Sequence, residues 1–464
     1  MYLRTTKRTN KDGSVAEYFQ LAHNERHPET RKPVAKIIHN FGRVDQLDRQ
    51  ELVRLCRSIA RVCGLHVTDP AGGNTGPSSE VVGLPADLKI RQTLALGCPL
   101  VIEALWERLG LKKALQAIEK TAGVQVPYER ALLAMVANRL CDPESKLGVW
   151  DRWLSTVHLP SCQNLKLRHM YEAMDLLHAN IDEVEKTVFF NTANLFNLEV
   201  DLIFYDTTTA SFHVDAEDDS DADANATLRK FGHGKEGGWA PQVVVALAVT
   251  REGVPVRSWV LPGNTADVGT VARVRADLRG WNLGRAMFVA DSGMNSEDNR
   301  AELAKACGKY LLACRMASVS EVKRQIVAAA KYDGKWVIET NDDTIGLEDA
   351  ACGYKGLMVI ERCFRSLKRT QIKLTPMYHW ASRRIESHVK ICVLALLIER
   401  ITEPACGRSW HHIQRALDTL RITEFFDLKY RVLMRNELTQ DAINILKSLK
   451  IKVPPQVIQL TETA

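Results

Sequence analysis

Leu202-Ile203-Phe204-Tyr205-Asp206-Thr207-Thr208-Thr209 runs four bulky apolar residues straight into a carboxylate and three hydroxyl side chains. The run is too short for a stable helix and lacks polar alternation, so it reads as a strand buried on both faces that delivers Asp206 at its carboxyl end. A second stretch repeats this order. Ala286-Met287-Phe288-Val289-Ala290 leads into Asp291, then Ser292-Gly293 and a helix-like segment from Ser296 to Ala306. Open α/β sheets place their ligands at the carboxyl ends of strands, so two such strands predict an acidic site at a sheet edge.

The chain has 464 residues, which at roughly 100–200 residues per domain implies several domains and a large core. A hydrophobic content of 45% with 25% charged residues is that of a globular protein and argues against disorder. Eleven cysteines occur without a Cys-x-x-Cys pair, so neither a disulfide framework nor a zinc ribbon is indicated. Met1 leads into Arg4, Lys7 and Arg8 with no apolar stretch behind them, so no signal peptide is expected. The longest apolar run, Ile391 to Ile398, is far short of the roughly 20 residues of a membrane span. A cytoplasmic protein with no membrane partner is expected.

The net charge is +6, unevenly spread. Residues 1–68 hold 13 Lys/Arg against 7 Asp/Glu, and residues 362–400 hold 9 against 2. Basic regions on a chain with an acidic site fit a polyanionic partner, because lysine and arginine release counterions from phosphate backbones.

Tyr2 to Gln20 alternates around Lys11-Asp12-Gly13, a hairpin signature, and Val34 to Asn40 is again extended. Gln46 to Val62 has helical periodicity, so residues 1–68 form a small basic α+β module suited to binding DNA. Residues 69–87, rich in Gly, Pro and Ser, read as a linker. Residues 88–198 read as a helical domain, with Asp142-Pro143-Glu144 as a helix start. Asp215 to Asp223 reads as a solvated acidic loop rather than a metal site.

Beyond that loop the order becomes informative. Strands are expected at Pro241 to Thr250 and Val256 to Leu261, a helix at Val268 to Leu278, then the strand ending at Asp291, a helix, and a strand at Tyr310 to Cys314. This succession is that of an RNase H-like mixed sheet, in which the first and fourth strands are neighbours. Asp206 and Asp291 would then stand about 5 Å apart in the pairing direction. Carboxylates so close repel unless a cation lies between them, and hard oxygens favour Mg2+.

The RNase H-like core spans residues 199–316 and 354–400, interrupted by a strand-rich insertion at 317–353 centred on Lys335 to Asn341. A helical region closes the chain at 401–464. Leu357 to Arg369 has helical periodicity and sets Glu361, Arg365 and Lys368 on one face. Taken alone, that face reads better as a solvated helix with a Glu361–Arg365 pair than as part of a site.

Together these residues carry a resemblance. Asp206 in Phe-Tyr-Asp-Thr-Thr-Thr, Asp291 in Val-Ala-Asp-Ser-Gly-Met, and Tyr354-Lys355-Gly356 with Glu361 and Lys368 resemble the DDE transposases of bacterial insertion sequences. The match is to the group with a Tyr-x2-Arg-x3-Glu-x6-Lys signature, except that Leu357 stands where the signature has arginine. Pro241-Gln242-Val243 and Leu261-Pro262-Gly263-Asn264-Thr265 resemble segments of the same group.

The resemblance implies DNA cleavage and strand transfer by two Mg2+ ions, with Mn2+ as a substitute, held by Asp206, Asp291 and Glu361. One ion would activate water or a DNA 3′-hydroxyl and the other would stabilise the leaving oxygen. It assigns DNA contacts to Tyr354, Lys355, Arg365 and Lys368, and base stacking to Trp336 in the insertion. It implies double-stranded DNA as partner, with terminal inverted repeats and target DNA, a homodimer or larger assembly on DNA, and a nucleoid-associated location. Two alternatives stand beside it: an RNase H-like nuclease that hydrolyses without joining, and a catalytically idle DNA-binding descendant. His411-His412 and the pair His379 and His388 lack companion ligands at metal spacing, and no nucleophile elbow supports Ser-His-Asp chemistry.

Overall fold

Period-two alternation between two buried faces organises the main sheet. In the computed structural model, which describes residues 2–9, 15–26, 33–44, 89–214, 216–218, 227–235, 237–314, 337–426 and 430–462, the chain divides into two units, Met1–Gly83 and Leu84–Ala464. The first unit contains β1 (Tyr2–Thr9), β2 (Val15–Arg26) and β3 (Pro33–Arg43) in an antiparallel sheet of that order. Lys7 faces Glu17 across the β1–β2 ladder, and their side chains pair at 2.7 Å. The helix expected at Gln46 to Val62 and the linker at 69–87 lie outside the described residues.

The second unit opens with β4 (Lys89–Ala95) and continues with α1 (Gly97–Arg108), α2 (Leu111–Thr121), α3 (Tyr128–Cys141), α4 (Leu167–Ala179) and α5 (Ile181–Phe196). Asp142 does not start a helix as expected. It follows α3 in an extended conformation, which the next residue, Pro143, favours. Asn138 then braces the link, donating to the Asp142 carbonyl at 2.7 Å and accepting from the Glu144 amide at 2.8 Å. Ser145 caps the following short turn instead.

The main sheet comprises β5 (Leu202–Ser211), β6 (Lys230–His233), β7 (Trp239–Val249), β8 (Pro255–Pro262), β9 (Met287–Ala290), β10 (Tyr310–Cys314) and β11 (Val337–Thr340). Its order is β11-β10-β9-β5-β7-β6, with β8 also paired to β7. The strands expected from the five apolar runs are all present. β5 is parallel to β9, and β9 to β10, whereas β7 is antiparallel to β5. Strand β5 does not stop at Asp206; it continues to Ser211 because β7 supplies a partner from Phe204 to Ser211. Its pairing with β9, by contrast, ends at Phe204. Strand β11, from the insertion, adds to the sheet edge antiparallel to β10.

Phe204, Val245, Leu247 and Val289 point to one face, and Ile203, Tyr205, Ala246 and Phe288 to the other. The second face is covered by α6 (Val271–Gly280) and α7 (Glu297–Ala304). The first packs on the helical layer, completed by α8 (Leu347–Lys355), α9 (Met358–Arg365), a π-turn at Ser366–Thr370 and the long α10 (Ser382–Cys406). Helix α10 packs on α3 and α4, so its near-continuous burial is that of a core helix. No helix among the described residues is long and apolar enough to cross a membrane.

The region from residue 401, expected to be helical, is mixed. It contains α11 (Trp410–Leu417), β12 (Arg421–Phe426), β13 (Tyr430–Arg435), α12 (Gln440–Ser448) and β14 (Val457–Glu462). Its strands build a sheet of order β14-β13-β12-β4, so the strand that opens this unit is paired with its end. Ile422 and Leu433 supply the buried alternation, while Glu424 is buried through bonds from Arg431 and Gln92.

Gly356 lies between α8 and α9 with an ordinary helical φ of −58°, so its requirement is space. A Cβ there would meet Cζ of Phe204 at 2.5 Å and the Gly353 carbonyl oxygen at 3.0 Å. The α8–α9 junction therefore rests on the β5 residue two before Asp206. Gly356→Ala should cost about 1–3 kcal/mol of stability in urea unfolding, and Phe204→Leu should recover part of it; an unchanged unfolding midpoint for Gly356→Ala would show that the junction is not seated on β5.

Candidate active site

The last parallel pair is Phe204 with Val289. Two residues further along each strand stand Asp206 and Asp291, so the ladder that joins β5 to β9 aims both carboxylates past its end. Adjacent strands lie about 4.8 Å apart. Local backbone groups orient each side chain: the Thr207 amide donates to Asp206 Oδ1 at 2.7 Å, and the Gly293 amide donates to Asp291 Oδ1 at 2.9 Å.

Burial raises the Asp206 carboxyl to about 6, with the charge of Asp291 adding to it and Lys235 pulling the other way. Lys235 Nζ is 3.4 Å from Asp206 Oδ1, 3.1 Å from Asp267 Oδ2 and 2.7 Å from the Thr207 carbonyl. Thr207 Oγ1 donates to the other oxygen of Asp267. Lys235 and Asp267 had not been singled out. The available signal for the lysine was its isolation among Gly232, Gly234, Gly237 and Gly238 just past the acidic loop; Gly237 and Gly238 adopt positive φ. Asp267 follows Asn264-Thr265 and opens the short turn before α6, where it resembles an ordinary helix-start carboxylate.

Glu361 is exposed on α9, whose buried face is Ile360, Cys363 and Phe364. Tyr354, partly buried at the end of α8, links the three acids electrostatically. Burial raises its phenol, and the charges of Asp291, Glu361 and Asp206 raise it further. The wider π-turn swings Lys368 out of line with the exposed Glu361 and Arg365, and its Nζ reaches Thr208 Oγ1 on β5 at 3.3 Å. Lys355 and Arg365 are exposed. Leu357, at the signature's arginine position, packs partly buried against the core. Trp336 lies outside the described residues. Among the described residues, no three His, Cys, Asp or Glu side chains are close enough to form a metal site as they stand.

Residues 3–69 match the IS1634 family transposase N-terminal domain, and residues 202–397 match the transposase DDE domain. The two matched segments take up more than half of the chain. Among solved structures, the chain is similar to that described as a piggyBac transposase synaptic complex with hairpin DNA. That likeness has 10% identity and a TM-score of 0.33, covering 69% of this chain and 78% of the other. No curated protein matches. The chain belongs to the DDE transposases of insertion sequences. It is a DNA transposase, an enzyme class that cleaves and transfers nucleic-acid strands.

Ser366, at the start of the turn that presents Lys368, donates to Glu399 Oε2 at 2.5 Å. Burial pushes the Glu399 carboxyl up to about 7. Its folded value therefore exceeds its unfolded one, and stability falls as pH rises from about 4.5 to about 7. Glu399→Gln should remove this loss, making the variant more stable than wild type at pH 8, by on the order of 3 kcal/mol, but not at pH 4.5. Equal stability differences at both pH values in denaturant titrations would contradict this.

Proposed function

We propose that this transposase cleaves DNA at the ends of its element and joins them to target DNA on an RNase H-like core, using Mg2+, with Mn2+ able to substitute, held by Asp206, Asp291 and Glu361. The observation that carries this reading is the β5–β9 register, which directs two carboxylates past the end of one parallel ladder. The strand order β8-β7-β5-β9-β10 and the antiparallel β7 support the RNase H-like assignment.

The donor chemistry fits the ion: three carboxylates offer hard oxygens, and the burial that raises Asp206, together with the nearby charge of Asp291, is what a bound divalent cation would offset. When bound, divalent ions would supply Lewis-acid polarisation of a phosphoryl oxygen and ease deprotonation of the attacking hydroxyl. Asp206 and Asp291 are oriented before any substrate arrives, by the strands and by the amides of Thr207 and Gly293. Glu361, exposed on α9, completes the set from the opposite element. Lys235 offsets the charge of Asp206 in the metal-free enzyme.

Tyr354 keeps its proton well above neutral pH and can donate it to a phosphate oxygen. Lys368, anchored at Thr208, holds the backbone beside the scissile phosphate, and Lys355 and Arg365 contact flanking phosphates. Trp336 would stack a base from the insertion. The in-line displacement then needs no covalent protein–DNA intermediate: water attacks first and the freed 3′-hydroxyl attacks target DNA. The amino-terminal basic unit reads the inverted repeats, and bringing two ends together calls for at least a homodimer on DNA at the nucleoid.

The test is cleavage of duplex carrying the gene's own flanking repeats. Asp206→Asn, Asp291→Asn and Glu361→Gln should each lower metal-dependent cutting at least about a hundredfold. DNA affinity should stay within about twofold, because it rests on basic residues elsewhere. Cutting that persists in these variants would remove the carboxylates from the mechanism.

A further inference from the structure

A cavity of about 850 Å³ opens where α3 and the Glu144–Arg152 turns meet the segment between the π-turn and α10. It lies outside the carboxylate site and is unlike it in charge. Arg139, Lys146, Arg152, Lys373 and Arg384 line it, and among the described lining residues Glu144 is the one carboxylate. Arg152 is paired with Glu144 at 2.8 Å, and Arg384 with Asp175 at 3.0 Å.

The two most buried cations have neutral hydrogen-bond partners. Arg139, 6% exposed, donates to the carbonyls of Lys373 and Glu144. Lys146, 5% exposed, sits 2.6 Å from Nδ1 of His388. The other ring nitrogen, Nε2, is 3.0 Å from the Leu374 carbonyl, which can only accept. His388 is therefore the neutral Nε2–H tautomer and takes its second bond from the lysine. Burial and the charge of Arg139 together press Lys146 down to about 7. Two buried cations whose direct hydrogen-bond partners are all neutral, with only the Glu144 charge acting on Arg139 from within the cavity, are costly, and an anion entering the cavity would relieve them.

The mouth is aromatic. Tyr378 and Trp380 are 68% and 63% exposed, high values for such large rings, and Arg229 stacks on Trp380 at 4.5 Å. A basic floor under exposed aromatic rings suits a nucleotide: phosphate at the cations, base against the rings. The size falls within the roughly 300–1,000 Å³ of ligand pockets. Lys373 is only five residues beyond Lys368, a span of at most about 18 Å. At about 3.4 Å per base pair, that backbone span corresponds to about five base pairs, which places the pocket close along the duplex to a phosphate held by Lys368.

We propose that this cavity is a DNA nucleotide site, in which Lys146, Arg139 and Lys373 take a backbone phosphate of the bound element end and Tyr378 and Trp380 stack its base. The proposal rests on the chain acting on DNA ends, and it gives the segment after the signature lysine a direct part in holding them. It adds a second stacking site, on rings outside the insertion, to the one proposed for Trp336.

The experiment uses the full-length protein and duplex carrying the flanking repeat, with 5-iodouracil placed at one position at a time. Cross-links from one position within about five base pairs of the cut should map to Tyr378 or Trp380. The double variant Tyr378→Ala with Trp380→Ala, both at exposed positions, should bind about five- to a hundredfold more weakly. Lys373→Asn, chosen because Lys373 has a left-handed φ of 52°, should reduce the salt slope of binding by about 1. Wild-type affinity and slope in these variants, with cross-links elsewhere, would overturn the pocket while leaving cleavage by the wild type intact. A wild type that neither binds nor cuts the repeat would overturn the DNA-end reading and the pocket with it.

Discussion

Two carboxylates held beside each other at the end of a parallel ladder are the constraint on which the molecule depends. The β5–β9 register directs Asp206 and Asp291 past the same ladder end, where burial raises the Asp206 carboxyl and the charge of Asp291 adds to it. The register exists because both faces of the sheet are buried: one against α6 and α7, the other against the helical layer led by α10. A one-residue slip would turn Asp206 to the opposite face and Tyr205 toward the wrong core. Gly356 then allows α8 and α9 to settle on Phe204, carrying Tyr354 and Glu361 to the same neighbourhood. The helical layer thus both covers one face of the sheet and carries Glu361, the third acid of the proposed site.

What was legible in the sequence follows from how each element is stabilised. Strands β5, β7, β8, β9 and β10 are covered on both faces, and double burial writes itself as mainly apolar runs, broken in β8 only by Arg257 and Ser258. The closing sheet is different. Its strands are half exposed, one inward position is the buried acid Glu424, and β12 pairs with β4 from the opposite end of the second unit. No local pattern announces a partner so distant. The Asp142-Pro143 signal failed for a local reason, since Asn138 holds that backbone out of the helical region and passes the cap to Ser145.

The carboxylates were legible because their strands were; their cationic neighbour was not. Lys235 reaches Asp206 and Asp267 from a glycine-rich segment with no periodicity of its own, so only the folded chain reveals it. The same holds for the basic cavity. Its cations come from residues 139–152 and from 373–384, and they meet only when α10 packs on α3 and α4. The charge excess over residues 362–400 marked one wall without indicating the other. The short span from Lys368 to Lys373 links the turn that reaches β5 to the wall of the basic cavity.

The central claim is that the β5–β9 register and α9 build one divalent-cation site. It is tested most directly by Mn2+ binding to the full-length protein, followed by electron paramagnetic resonance, with wild type and Asp206→Asn side by side. The account predicts bound Mn2+ in the wild type that is lost in Asp206→Asn, and lost again in Asp291→Asn. Equal Mn2+ binding by all three proteins would contradict it.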